Sequence, residues 1–235
     1  MALPKLETPV YTLNLPSTDE EIKFRPFLVK EQKRLMMAQE SDSAIETIDA
    51  ITRLISDCTF NKLDGNNIAM FDAEYVFLQV RSKSVGSKVE LNITCPDDKK
   101  TKVPHTLDLD EINVAMFDDH TNEVQLTENI KVIFKYPLLS TFAAYSTKSS
   151  TADMMFKLIE ECIDEVHFKE EITNRVDMSS KELTEFIESL STDQFMQMTK
   201  FFETMPRLRH KIEVKNPKTE VTSEVMLEGI QSFLV

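Results

Sequence analysis

The residues of this 235-residue chain best equipped for chemistry are four histidines and three cysteines, so their spacing comes first. His105, His120, His167 and His210 are scattered, and none has a Cys or a second His at the spacing of a zinc site. His120 directly follows Asp118 and Asp119 in a polar stretch. Those three could form a weak surface metal site, and through it a metal-dependent hydrolase or peptidase; a solvated acidic loop is the better explanation. Cys58, Cys95 and Cys162 lie far apart, the usage of a chain with reduced thiols rather than of a disulfide scaffold. Cys58 and Cys162 fall on apolar helical faces and read as core, and nothing near them in sequence marks a base to activate them. Carboxylates such as Glu160 and Asp164 share a helix face at i and i+4, which so acidic a chain produces without acid–base catalysis. The absence of tryptophan removes the usual sugar platform of a glycosidase. No catalytic residue, metal ligand or cofactor site is assigned, and the chain is read as a non-enzyme.

Composition excludes further classes. With glycine only at 65, 86 and 229, neither a P-loop nor a GxGxxG dinucleotide motif can be written. Lys and Arg number 27 against 40 Asp and Glu, a net charge of −13 that repels phosphate backbones, so no direct nucleic-acid partner is expected. No stretch reaches the ~18 uninterrupted apolar residues of a membrane span, and the first residues lack a signal peptide's pattern. The expectation is a soluble protein on the cytoplasmic side with no membrane partner.

The elements follow from periodicity. Tyr11, Leu13 and Leu15, then Ile22 and Phe24, alternate around a turn and predict a hairpin. Helical spacing predicts helices from Leu28 to Glu40, from a cap among Ser41–Ser43 to Cys58, and from Phe71 to Val80 with Gly86 as the stop. Residues 87–136 predict four or five short strands. Beyond Pro137 four helices are expected, at Leu138 to Tyr145, Ala152 to Phe168, Ser180 to Leu190, and Thr192 to Thr204 with Thr192 as its cap. A hairpin over Leu208–Val214 and Val221–Leu227 closes the chain. The fold class is α+β, antiparallel strands and hairpins with helices packed around them. Its organisation reads as 1–86 (hairpin plus helices), 87–136 (β region) and 137–235 (helices ending in a hairpin), or as one compact domain. The stretch from Lys88 through Cys95-Pro96 to Ile112 echoes that from Lys211 through Asn216-Pro217 to Ile230: strand, Xaa-Pro turn, strand, then a Leu-acidic exit.

Two blocks are candidate partner contacts. Phe24, Arg25 and Phe27 sit where a strand passes into a helix, either as an aromatic and Arg anchor or as a seal between helix and sheet with Arg25 bridging acidic neighbours. Phe195, Met196, Met198, Phe201 and Phe202 cover a wider angle than one buried stripe needs, which suits a partner groove or a subunit contact as well as a core. The pairs Met36-Met37 and Met154-Met155 read first as core filling.

Three blocks carry a family resemblance: Tyr11 to Ser17 followed by Ile22 to Glu31 and Leu35 to Glu40, the run Phe71 to Gly86, and the ending from Met205-Pro206-Arg207-Leu208 to Phe233. Together they resemble the T4-like phage baseplate hub subunit family over nearly the whole chain. The resemblance implies a non-enzymatic structural or assembly protein of a contractile tail, contributing to the baseplate's central hub through contacts with other hub or tail proteins. It would occupy the host cytoplasm during assembly, and the virion baseplate if retained; oligomeric state stays open. Many members carry paired cysteines in the two hairpin turns, suggesting zinc knuckles. Here the turns read Cys95-Pro96-Asp97-Asp98 and Asn216-Pro217-Lys218-Thr219, without a CxxC, so no zinc is expected and the hairpins must hold by pairing and packing.

Overall fold

A computed structural model describes residues 7–41, 43–141 and 151–233. They divide into two compact units, one formed by Met1–Ala115 with Arg207–Val235 and the other by Met116–Pro206.

The first unit begins with hairpin β1 (Tyr11–Asn14) and β2 (Glu21–Phe24), paired antiparallel so that Leu13 faces Ile22. Helices α1 (Val29–Glu40), α2 (Ala44–Cys58) and α3 (Met70–Val85) follow, α2 packing against both of the others. Ser43 caps α2 by accepting from the Glu46 amide, as its sequence position suggests. Gly86 ends α3 at φ +103°, a conformation that costs glycine least. Gly65 has a different reason to be glycine, since a Cβ there would lie 2.1 Å from the Thr52 carbonyl oxygen.

Two β hairpins complete this unit. One is β3 (Lys88–Thr94) with β4 (Lys102–Asp108); β5 (Asn113–Ala115) follows it in the chain. The other is β10 (Arg207–Lys215) with β11 (Thr222–Glu228), and β10 also pairs with β5 to give the order β11-β10-β5. The inward residues of both hairpins, among them Val89, Leu91, Leu107, Ile212, Val214 and Leu227, share one core with Leu78 of α3.

Helix α3 is buried nearly all round, and its polar residues therefore need partners inside the protein. Four of them each receive a different segment. Asp72 accepts from the Ser17 amide of the β1–β2 turn, Ser82 donates to Asp110 after β4, Ser84 accepts from the Phe27 amide, and Glu74 accepts from the Ile230 amide after β11.

The second unit is a four-stranded antiparallel sheet, β6 (Glu123–Thr127), β7 (Ile130–Phe134), β8 (Ile163–Phe168) and β9 (Glu171–Asn174) in that order, with helices α4 (Thr151–Cys162), α5 (Ser180–Glu188) and α6 (Thr192–Thr204). Here the structure corrects the sequence reading. The helix expected over Ala152 to Phe168 ends at Cys162, and Ile163 to Phe168 pairs with β7, Val166 opposite Val132. Branched Ile163 and Val166 suit a strand, and a partner strand far away in sequence decided the matter. Strand β9 was not anticipated. Ser191, not Thr192, caps α6, in a reciprocal pair with Gln194. Of the helix expected at Leu138 to Tyr145, residues 139–141 are helical and the remainder lies outside the described residues.

Candidate functional site

The block around Arg25 is an internal fastening. Arg25 is buried, and its guanidinium donates to Glu31 Oε1 at 3.0 Å, to the Pro26 carbonyl at 3.0 Å and to the Asp57 carbonyl at 3.2 Å. The Glu31 carboxylate also accepts from the Leu28 amide at 2.7 Å and pairs with Lys30 at 3.2 Å. Burial pushes the Glu31 carboxyl up, but hydrogen bonds from Arg25, the Leu28 amide and Lys30 outweigh it and leave the carboxyl below its ordinary range. Phe24 is buried and Phe27 half-buried, so this block seals the hairpin against the helices, and Arg25 ties the Glu31 carboxylate to the Asp57 backbone.

In the second block, Met198, Phe201 and Phe202 of α6 are buried. Phe201 stacks on Phe134 of β7 at 4.8 Å between ring centroids, and Phe202 meets both edge-on. Phe195 is half-buried and stacks at 4.7 Å on Phe156 of α4, while Met196 is exposed. The apolar patch left to solvent here is thus Phe156, Phe195 and Met196.

His120 lines the same cluster. Its Nδ1 lies 3.0 Å from Thr204 Oγ1 and its Nε2 3.1 Å from the Tyr136 hydroxyl. The Thr204 hydroxyl hydrogen is directed at the Lys200 carbonyl, so His120 Nδ1–H donates to Thr204 and Nε2 accepts from Tyr136. Burial lowers the His120 pKa, against a smaller opposing pull from Asp119, which favours this neutral ring. Its one lone pair in the ring plane is already used. Among the described residues no group of three His, Cys, Asp or Glu is arranged to hold a metal. Burial pushes the Cys58 and Cys162 thiols up to about 12, which leaves neither as a thiolate at neutral pH.

The two Xaa-Pro turns are joined. Asp97 accepts from Asn216 Nδ2 at 3.0 Å and from the Thr219 hydroxyl, so one carboxylate clasps the tip of the first hairpin to that of the second. Those bonds, Thr219 first and Asn216 next, lower the Asp97 pKa. The turns match locally: the Cys95 amide donates to the Thr101 carbonyl and the Asn216 amide to the Val221 carbonyl, and Lys99 and Glu220 both take left-handed φ values, 54° and 62°. Sequence reading found the echo between these hairpins but not the clasp, because Asp97 and Asn216 lie 119 positions apart.

Sequence reading also placed Met36 and Met37 in the core, and the structure exposes both. Val29, Met36 and Met37 project from α1 to line an open groove of about 310 Å³ with Gln32, Lys33 and Glu40. The available signal was the helical wheel: Glu31 and Ala38, which are buried, lie opposite these residues.

A family model described as T4 bacteriophage base plate protein matches residues 8–235. The chain belongs to that family. No curated protein and no solved structure matches it. As a baseplate protein it has a structural role in a phage tail, among other tail and baseplate proteins. That setting gives a use to the apolar side chains that are exposed among the described residues. No helix among the described residues of this baseplate protein is long and apolar enough to cross a membrane.

Proposed function

We propose that this protein contributes to assembly of the baseplate's central hub, acting through contacts with other hub or tail proteins rather than through catalysis. The observation that carries the reading is the family match across residues 8–235. The site chemistry supports it: the thiols are buried and un-ionised, His120 spends both ring nitrogens inside the protein, and the best-connected carboxylates hold segments together. The net charge of −13 supports protein partners over nucleic acid, with the host cytoplasm as the site of assembly.

The test is a phage unable to make this chain. Its baseplates should lack a completed central hub, seen by electron microscopy and by quantitative mass spectrometry of purified tails, and expression in trans should restore them. Intact hubs in its absence would overturn the proposal. The same mass spectrometry on wild-type particles and lysate separates two modes of action. A fixed ratio to known baseplate proteins marks a retained subunit, and presence in lysate alone marks a helper that leaves. The competing hydrolase or peptidase reading predicts that His120→Ala blocks assembly while the chain stays folded, and it fails if that variant assembles normally.

A further inference from the structure

Helix α1 is built inside out. Its contacts with the rest of the chain come from Glu31, Ala38 and the half-buried Arg34 and Leu35, whereas Val29 is 79% exposed, Met36 53% and Met37 60%. Val29, Lys33, Met36 and Glu40 follow one another at intervals of four, three and four, which aligns them in a single stripe along 12 residues, about 18 Å of helix. Met37 widens the stripe on one flank and Gln32 on the other, completing the groove. Among the described residues no surface covers these larger apolar side chains.

The charges on the stripe indicate what covers it. Glu31 is committed to Arg25 and Lys30, and Arg34 to Asp57, all within the chain. Lys33 and Glu40, seven residues apart on either side of Met36-Met37, are exposed and take part in none of these pairs. A two-fold axis passing between Met36 and Met37 sets a second α1 antiparallel to the first. It brings each methionine pair onto the other, and the Lys33 of each copy against the Glu40 of its mate, twice per interface. A parallel arrangement would instead oppose Lys33 to Lys33 and Glu40 to Glu40. Net charge also allows the approach. Met116–Pro206 holds 17 Asp and Glu against eight Lys and Arg, a net of −9, so the unit that carries α1 holds only −4 of the total −13.

We infer that the exposed stripe of α1, Val29, Lys33, Met36, Met37 and Glu40, is a self-complementary surface through which two copies of this chain pair antiparallel. The inference is independent of the hub proposal. A single helix face of this length buries less than the ~1,200 Å² typical of stable specific interfaces, so the dimer is reversible, with a Kd on the order of 10 µM.

The test is sedimentation equilibrium of the full chain from about 1 to 500 µM, a range spanning that Kd. The wild type should pass from monomer to dimer. Met36→Glu with Met37→Glu should stay monomeric while melting at the wild-type temperature, since both positions are exposed. Lys33→Glu alone should weaken the dimer about tenfold by turning two attractions into two repulsions. Adding Glu40→Lys to it should restore the wild-type Kd. A wild type that is monomeric throughout overturns the proposal and leaves the stripe to a different protein. A dimer that survives the methionine substitutions, or that Glu40→Lys fails to restore, overturns it too.

Discussion

Helices α1 and α6 are both rich in methionine, of similar length and amphipathic, yet the protein uses them in opposite ways. In α6 the large apolar residues Met198, Phe201 and Phe202 are buried, stacked with Phe134 against the sheet. In α1 the attachment runs through a polar node, Glu31 to Arg25, plus Ala38 and Leu35, and the methionines face out. The difference teaches that methionine content alone does not say which side of a helix is fastened. A buried ion pair with its hydrogen bonds satisfied can attach a helix and release its apolar face for another purpose.

The largest test of the contrast is Phe201→Ala, which should cost about 3–5 kcal/mol in chemical denaturation by opening a cavity in the aromatic cluster. A loss below 1 kcal/mol would mean that α6 is not held by that cluster. Next comes Glu31→Ala, expected to cost about 3 kcal/mol because it leaves the Arg25 guanidinium buried without its carboxylate. Its pH dependence is specific. The folded-state pKa of Glu31 is lowered, so its contribution is present above the ordinary value of 4.5 and is lost as pH falls through the folded-state value. The gap between the variant and wild type should therefore be widest at neutral pH and narrow in acid, and a gap independent of pH would show that ionisation does not fasten α1.

Glu74 sharpens this with the opposite sign. Burial raises its carboxyl to about 7, against a smaller lowering by the Ile230 amide, so the neutral form suits the folded state. Its stabilisation is complete below 4.5 and fades as pH rises through about 7, by up to ~3 kcal/mol. Glu74→Gln keeps an oxygen for the Ile230 amide and should flatten that part of the pH–stability profile, read by thermal melts between pH 5 and 8. The smallest expected effect is Met36→Ala, within ~0.5 kcal/mol of wild type in stability. A larger loss would place Met36 in the chain's own packing.

Local pattern made much of this legible. Alternation marked the hairpins at Tyr11–Phe24 and Arg207–Glu228, and a cap marked α2, Ser43 accepting from the Glu46 amide. Five strands lie where four or five were expected between 87 and 136. The failures share one cause. Ile163 to Phe168 continues an apolar helical pattern, and only the presence of β7 and β9 on either side makes it a strand. For Phe24, Arg25, Met198, Phe201 and Phe202 the sequence leaves interface and core both open and the structure buries them, whereas Met36 and Met37 read first as core filling and lie outside it.

By itself the sequence determined the α+β class, the two matched Xaa-Pro hairpins and the family, because periodicity, turn chemistry and residue order are local or cumulative properties of the chain. Tertiary structure decided which face of each helix is covered, that α3 gathers four segments on its polar side chains, and that Asp97 closes on Asn216. Those outcomes depend on groups up to 156 positions apart, whose meeting is set by the packing of whole elements rather than by any local preference.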